Sequence, residues 1–161
     1  MPKDTLNEEV GILTRREIEA RILKPFYEAV AKELGKEKAQ TLLKDIVIEA
    51  AEATGKDMRA TVDSESLTEF AKQWEPWFRG GALETDVLEQ TEDVWAFNVT
   101  RCRYAELYTS LGMAELGATL SCNRDAALIE GYSQNIRLER SQTLMEGASC
   151  CDFRYTKLGD S

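Results

Sequence analysis

The spacing of apolar residues first changes at Gly80-Gly81, and that change limits the folds open to this chain. Before the glycine pair the apolar residues recur at helical spacing. After it they alternate, as residues of half-buried strands do. Residues 8–34 carry Ile12, Ile18, Ile22, Phe26, Val30 and Leu34 at spacings near four, with Glu and Lys between them. This is the stripe of an amphipathic helix. Pro25 interrupts it, so a kink or a junction of two helices is expected there, and Gly35 supplies a stop. A second helix is expected from about Lys38 to Thr54, ended by Gly55, with Leu42, Leu43, Ile46, Val47, Ala50 and Ala51 as its inner stripe. Ser66 and Glu69 form a capping box ahead of a third helix that holds Phe70 and Trp74. Pro76 disturbs its last turn.

Beyond the break, Leu83, Thr85, Val87 and Glu89 alternate, as do Val94, Ala96 and Asn98, which predicts two strands with a turn at Glu92-Asp93. Residues 100–111 return to helix with Gly112 as the stop, and a further helix spans Ala114 to Ile129. Ile136, Leu138 and the segment through Met145 read as a third strand, and Cys151 to Tyr155 as a fourth. The order gives an α+β fold: N-terminal helices, then two β-hairpins flanking one or two helices, forming a small antiparallel sheet packed on helices. The 161 residues read as one domain, with a helical part over about 8–80 and an α+β part over about 83–156.

Twenty basic against 29 acidic residues leave a net charge of −9, which argues against nucleic acid or an anionic membrane surface as the main partner. A local arginine cluster still suits a small anionic ligand. The N-terminal MPKDTLNEEV is polar, and no run reaches the ~20 apolar residues that span a bilayer. The expected location is therefore the cytoplasm, where thiols are reduced. The adjacent Cys150 and Cys151 are expected to be free thiols.

The chain has no histidine. Its chemistry must use cysteine, carboxylate, arginine, tyrosine or a bound ion. Three groups offer it. Arg101, Cys102, Arg103, Tyr104 and Glu106 open the helix after the first hairpin. Glu106 reads either as a surface partner of arginine or as an acid/base in a polar pocket. Cys122, Asn123, Arg124 and Asp125 set a thiol, a carboxylate and a cation on one helix, which reads as a buried helix cysteine or as a nucleophile activated without histidine. Between Glu146 and Arg154, alternation puts Cys151, Phe153 and Tyr155 on one face, toward the core, and Asp152 and Arg154 toward water. No Cys-x-x-Cys pair, phosphate-cradling glycine loop, GxSxG or dinucleotide fingerprint is present, so no metal and no cofactor are expected.

Two runs carry a more specific signal: RCRYAELYTSLGMAELGATLSCNRDAALIEGY and LERSQTLMEGASCCDFRY. With the Arg-Cys-x-Tyr-Ala-Glu helix, the Cys-Asn-x-Asp segment and the Glu-Gly-x-x-x-Cys-Asp-Phe turn and strand, the chain resembles the L-2-amino-thiazoline-4-carboxylate hydrolase family. The resemblance covers about Asp93 to Tyr155, and the N-terminal helices only in general character. Cys151 matches the family's cysteine before Asp-Phe; Cys150 falls where the family often has histidine. The resemblance implies ring-opening hydrolysis of a small cyclic amidine-like acid to a carbamoyl amino acid.

It also implies roles. Cys122 or Cys151 would attack, or Asp125 or Glu106 would activate a water. Arg101 or Arg124 would hold the carboxylate through a bidentate fork. Asn123 would join them in binding substrate, and Glu146 would hold the amidinium nitrogens. The implied partner is a small anionic heterocycle, with a homo-oligomer open. The alternative class is a non-catalytic metabolite-binding or adaptor domain that uses the same arginines and turns nothing over. For either, the segments around Cys102, Cys122 and Cys151 are expected to converge on one pocket between the sheet and the later helices.

Overall fold

The computed structural model describes residues 7–159. The first helical stretch breaks at glycine, not at proline. Helix α1 (Asn7–Val10) meets α2 (Ile12–Leu34) at Gly11, whose φ of 75° is left-handed. Pro25 lies inside α2 and interrupts nothing. It is exposed, so the carbonyl one turn earlier, which loses its amide donor, can face water. Gly35 joins α2 to α3 (Lys36–Arg59), and the two helices form a hairpin.

The faces of this hairpin differ from the expected stripes. Helix α2 buries Ile12, Arg16 and Ala20; α3 buries Ala39, Leu43, Val47, Ala51 and Gly55. Ile18, Ile22, Phe26 and Leu34 point outward, as do Leu42 and Ile46. The inner positions are rich in Ala and Gly because neighbouring helices come close to them. Gly55 therefore lies inside α3 instead of ending it. A Cβ there would stand 2.0 Å from the carbonyl oxygen of Leu128.

Ser66 caps α4 (Leu67–Lys72), its side chain accepting from the Thr68 amide at 3.2 Å. Helix α5 (Glu75–Phe78) follows, with Pro76 in its first turn, where proline is tolerated. The chain then enters the sheet: β1 (Leu83–Gln90), β2 (Val94–Cys102), β3 (Ile136–Glu139) and β4 (Cys151–Lys157), in the order β1-β2-β4-β3 and antiparallel throughout. The fold is α+β. Strand β2 runs on to Cys102, so α6 begins only at Arg103 (Arg103–Ser110), with Cys102 at its N-cap. Strand β3 stops at Glu139, well short of Met145; the connection to β4 instead holds a 3-10 turn at Leu144–Glu146.

Between α6 and β3 the helical path is continuous but not uniform: α7 (Ala114–Gly117), a π turn (Ala118–Cys122) and α8 (Asn123–Tyr132). Helix α8 packs along α3. Cross-strand pairs Trp95↔Tyr155, Phe97↔Phe153 and Val99↔Cys151 build the buried sheet face. Trp74 and Phe70 pack edge-on against it, with ring centroids 5.5 Å apart for Trp74–Trp95 and 5.3 Å apart for Phe70–Tyr155. Among the described residues no helix is long and apolar enough to cross a membrane.

Gly131 faces α3 as Gly55 faces α8: a Cβ at 131 would stand 2.1 Å from the carbonyl oxygen of Glu52. Both obstacles are backbone, so neither moves cheaply. Gly131→Ala is expected to destabilise the fold by ~2 kcal/mol or more, read as a lowered urea midpoint, whereas Gly147→Ala, which meets no atom within 4 Å, costs only its left-handed backbone strain.

Candidate functional site

A pocket partly open to solvent lies between the buried sheet face and the helices. Ile12 and Arg16 of α2 and Ala51 and Thr54 of α3 form one wall. Trp74, Leu128 and Phe153 make it largely apolar. Three thiols reach it from three elements: Cys102 at the end of β2, Cys122 at the end of the π turn, and Cys151 at the start of β4. Arg124, Asp125 and Arg140 complete its polar side.

The π turn sets the polar groups. Inserted into a helical path, it changes which residues face inward, and such turns recur at functional sites. Two guanidinium groups bond its carbonyls: Arg124 Nε donates to Leu120 O at 2.7 Å and Arg140 Nη2 to Cys122 O at 3.0 Å. Arg140 Nη1 also reaches Asp125 Oδ2 at 2.5 Å, between side chains only 14% and 17% exposed. The Arg140 guanidinium lies 5.1 Å from the centroid of the Phe153 ring. Next to this pair, Arg16 Nη1 donates to Glu19 Oε2 at 2.7 Å, and Arg124 Nη2 lies 3.9 Å from the same oxygen.

The local charges set the protonation states. Burial pushes the Asp125 carboxyl up to about 6, against the pull of Arg140, Arg124 and Arg16. Burial, then repulsion by Arg16, brings Arg124 down to about 10. Glu19 goes the other way: burial opposes it, but the arginines around it hold its carboxyl below the usual carboxylate range. All three thiols rise. Burial and the Asp125 charge push Cys122 up to about 12; burial pushes Cys151 up to about 11 despite the Leu144 amide donating to its sulfur at 3.2 Å. Burial raises Cys102 as well. Arginine neighbours in sequence suggest stabilised thiolates. In the fold, desolvation outweighs them, and the thiols stay protonated at neutral pH.

Several expected residues lie elsewhere. Arg101 and Glu106 are exposed and pair with each other, Arg101 Nε donating to Glu106 Oε1 at 2.8 Å, while Arg101 Nη1 reaches Glu84 Oε1 at 3.2 Å. Because β2 extends to Cys102, Glu106 does not share a helix face with that thiol. Glu146 is exposed and accepts from Thr143 Oγ1 at 2.8 Å; Asn123 is half-buried but outside the cavity wall. Cys150 is half-buried and off the wall, with Gln142 Nε2 at 3.1 Å from its sulfur.

Two wall residues escape a reading of the sequence, Arg16 and Arg140. Arg16 does carry a signal, since it falls one turn after Ile12 and one turn before Ala20 on the buried line of α2. Arg140 carries none beyond its place in the LERSQT run. Among the described residues no group of three or more Cys, Asp or Glu is arranged to hold a metal, and all four cysteines are free.

Residues 15–155 match the family model described as L-2-amino-thiazoline-4-carboxylic acid hydrolase. The chain belongs to this family. The match takes in Arg16 and Arg140 and extends the likeness over the N-terminal helices. No curated protein matches the chain. Among solved structures, the phenol-responsive sensory domain of the transcription activator PoxR, with phenol, is 10% identical at a TM-score of 0.47, over 84% of this chain and 73% of that one. A trafficking protein particle complex subunit 3 from Naegleria fowleri, covalently bound to palmitic acid, is 10% identical at a TM-score of 0.48, over 89% of this chain and 99% of that one. The family description makes hydrolysis the coarse reading of the chain's chemistry.

The raised Asp125 value has a consequence for stability. Its folded value of about 6 lies above the ordinary 3.8, so the native state binds the proton more tightly. Asp125 therefore contributes stability that is present below 3.8 and is lost as pH rises toward 6. Urea unfolding across that window is expected to show this loss, and Asp125→Asn to flatten it.

Proposed function

We propose that this chain opens a small cyclic amidine carrying a carboxylate, of the L-2-amino-thiazoline-4-carboxylate type, by water attack in the cavity that holds Asp125. One observation carries the reading. A chain of net charge −9 gathers Arg16, Arg124 and Arg140 around an enclosed carboxyl that titrates near neutrality. Arg16 and Arg124 already share the carboxylate of Glu19, so their neighbourhood has cation to spare for a substrate carboxylate. An apolar wall around them excludes water and strengthens that attraction.

Asp125 is the base. Near pH 6 it is poised between its two forms, where a general base is most effective. It takes a proton from water as the oxygen bonds to the amidine carbon and passes it to the ring nitrogen. The remaining hydroxyl proton then goes to the departing sulfur or nitrogen as the carbonyl forms and the carbon–sulfur or carbon–nitrogen ring bond breaks. One water is consumed, and the product is a carbamoyl amino acid. Arg140 holds Asp125 in place. Thiols at about 12 and 11 are poor nucleophiles at neutral pH, which favours water attack over a cysteine-bound intermediate. The predominantly apolar wall also suits a domain that holds a metabolite without turnover, and turnover separates the two readings.

The test is incubation with L-2-amino-thiazoline-4-carboxylate and a panel of cyclic amidines and ureides, following new thiol and carbamoyl groups. Asp125→Asn is expected to lower kcat by ~100-fold or more. Arg124→Ala is expected mainly to raise KM, by about 10-fold. Activity should climb as pH rises through about 6, the Asp125 value. Cys122→Ser and Cys151→Ser are expected to keep turnover. Abolished turnover in either, with Asp125→Asn still active, would establish the covalent route. Binding without turnover of any panel member would favour the metabolite-binding reading.

A further inference from the structure

We propose that the outer face of the α2–α3 hairpin is the interface of a two-fold homodimer. On α2, Ile18, Ile22 and Phe26 stand one turn apart on the side away from the buried Ile12, Arg16 and Ala20. On α3, Leu42 and Ile46 flank the buried line of Leu43 and Val47. These five side chains and Leu34 are 43–69% exposed. The helices turn back on each other at Gly35, and Phe26 lies nine residues before it, while Leu42 and Ile46 lie seven and 11 after it. The three side chains therefore fall at the same height on the two helices and extend one apolar strip across the hairpin.

Size argues for a partner. The six side chains present roughly 600 Å² of apolar surface, the upper end of what a lone soluble chain exposes and close to the ~800 Å² per partner of a standard interface. The flanking stems of Arg21 and Lys38 can add to it.

Charge names the partner. Helix α2 carries five basic and four acidic residues, and α3 carries five of each. The chain as a whole carries nine more acidic than basic residues, so its excess negative charge lies outside the hairpin. Two copies meeting here would join their neutral faces and keep their acidic parts apart. A strongly charged partner or an anionic membrane surface would find no field to bind. A single self-complementary patch gives a closed pair. The inner side of the same hairpin supplies Arg16, Ala51 and Thr54 to the cavity, so the pairing would brace the cavity wall from outside.

Sedimentation velocity on the full chain tests this, with circular dichroism to follow the fold. The wild type is expected at twice 18.1 kDa. Ile22→Glu and Ile46→Glu are expected to weaken the pair by ~100-fold or more and sediment as monomers. Ile22→Ala, which removes area without adding charge, is expected to weaken it by ~10-fold and keeps the test readable if glutamate disturbs the fold. Leu88→Glu on β1, exposed but off this face, is expected to leave the pair intact. A wild type at 18.1 kDa at every concentration, variants that pair as the wild type does, or loss of pairing in Leu88→Glu alone would each overturn the proposal.

Discussion

The backbone contact between α3 and α8 fixes the rest of this molecule. Gly55 and Gly131 remove the two side chains that would hold the helices apart, and each helix then comes against a carbonyl of the other. With α8 held this close, Leu128, Ile129 and Tyr132 fill the space between it and the sheet. The first turn of α8 then carries Arg124 and Asp125 to the cavity wall. The π turn just before it ends on Cys122 and offers carbonyls to the guanidinium groups of Arg124 and Arg140. A helix crossing built from two hydrogen atoms thus determines where the polar chemistry sits.

Electrostatics then divides the cavity into two parts. In one, Arg140 satisfies Asp125, yet desolvation still leaves that carboxyl near neutrality. In the other, Arg16 and Arg124 crowd a single glutamate, and burial, then repulsion by Arg16, lowers the value of Arg124. The first part suits proton transfer and the second suits an anion. The thiols of the wall are neutral and polarizable, because the same desolvation that tunes Asp125 suppresses their ionisation.

Much of this was legible in the sequence where the signal is local. The Ser66 cap, the turn at Glu92-Asp93 and the alternation of Cys151, Phe153 and Tyr155 depend on near neighbours, and each is found where expected. Cys122, Arg124, Asp125 and Cys151 were legible as a chemical group, partly through the family resemblance. What was not legible depends on partners distant in the chain. Helical spacing on α2 joins Ile12 to the large residues Ile18, Ile22 and Phe26, whereas the structure buries a second line, Ile12, Arg16 and Ala20. Only the approach of other helices decides that the second faces inward. Gly55 reads as a helix stop until α8 is set against it. Arg101 and Glu106 read as site residues through the helix expected over 100–111 and the family resemblance; strand β2 runs further than its alternation indicates, and they form a surface pair.

The central claim is that this cavity binds a small carboxylate at Arg16 and Arg124 and presents its ring to Asp125. The most direct measurement is a crystal structure of the Asp125→Asn protein soaked with L-2-amino-thiazoline-4-carboxylate. The claim predicts intact ligand in the cavity, its carboxylate between the guanidinium groups of Arg16 and Arg124 and its amidine carbon facing position 125. Ligand bound outside the cavity, with its carboxylate on Arg101 or another surface arginine, would contradict it.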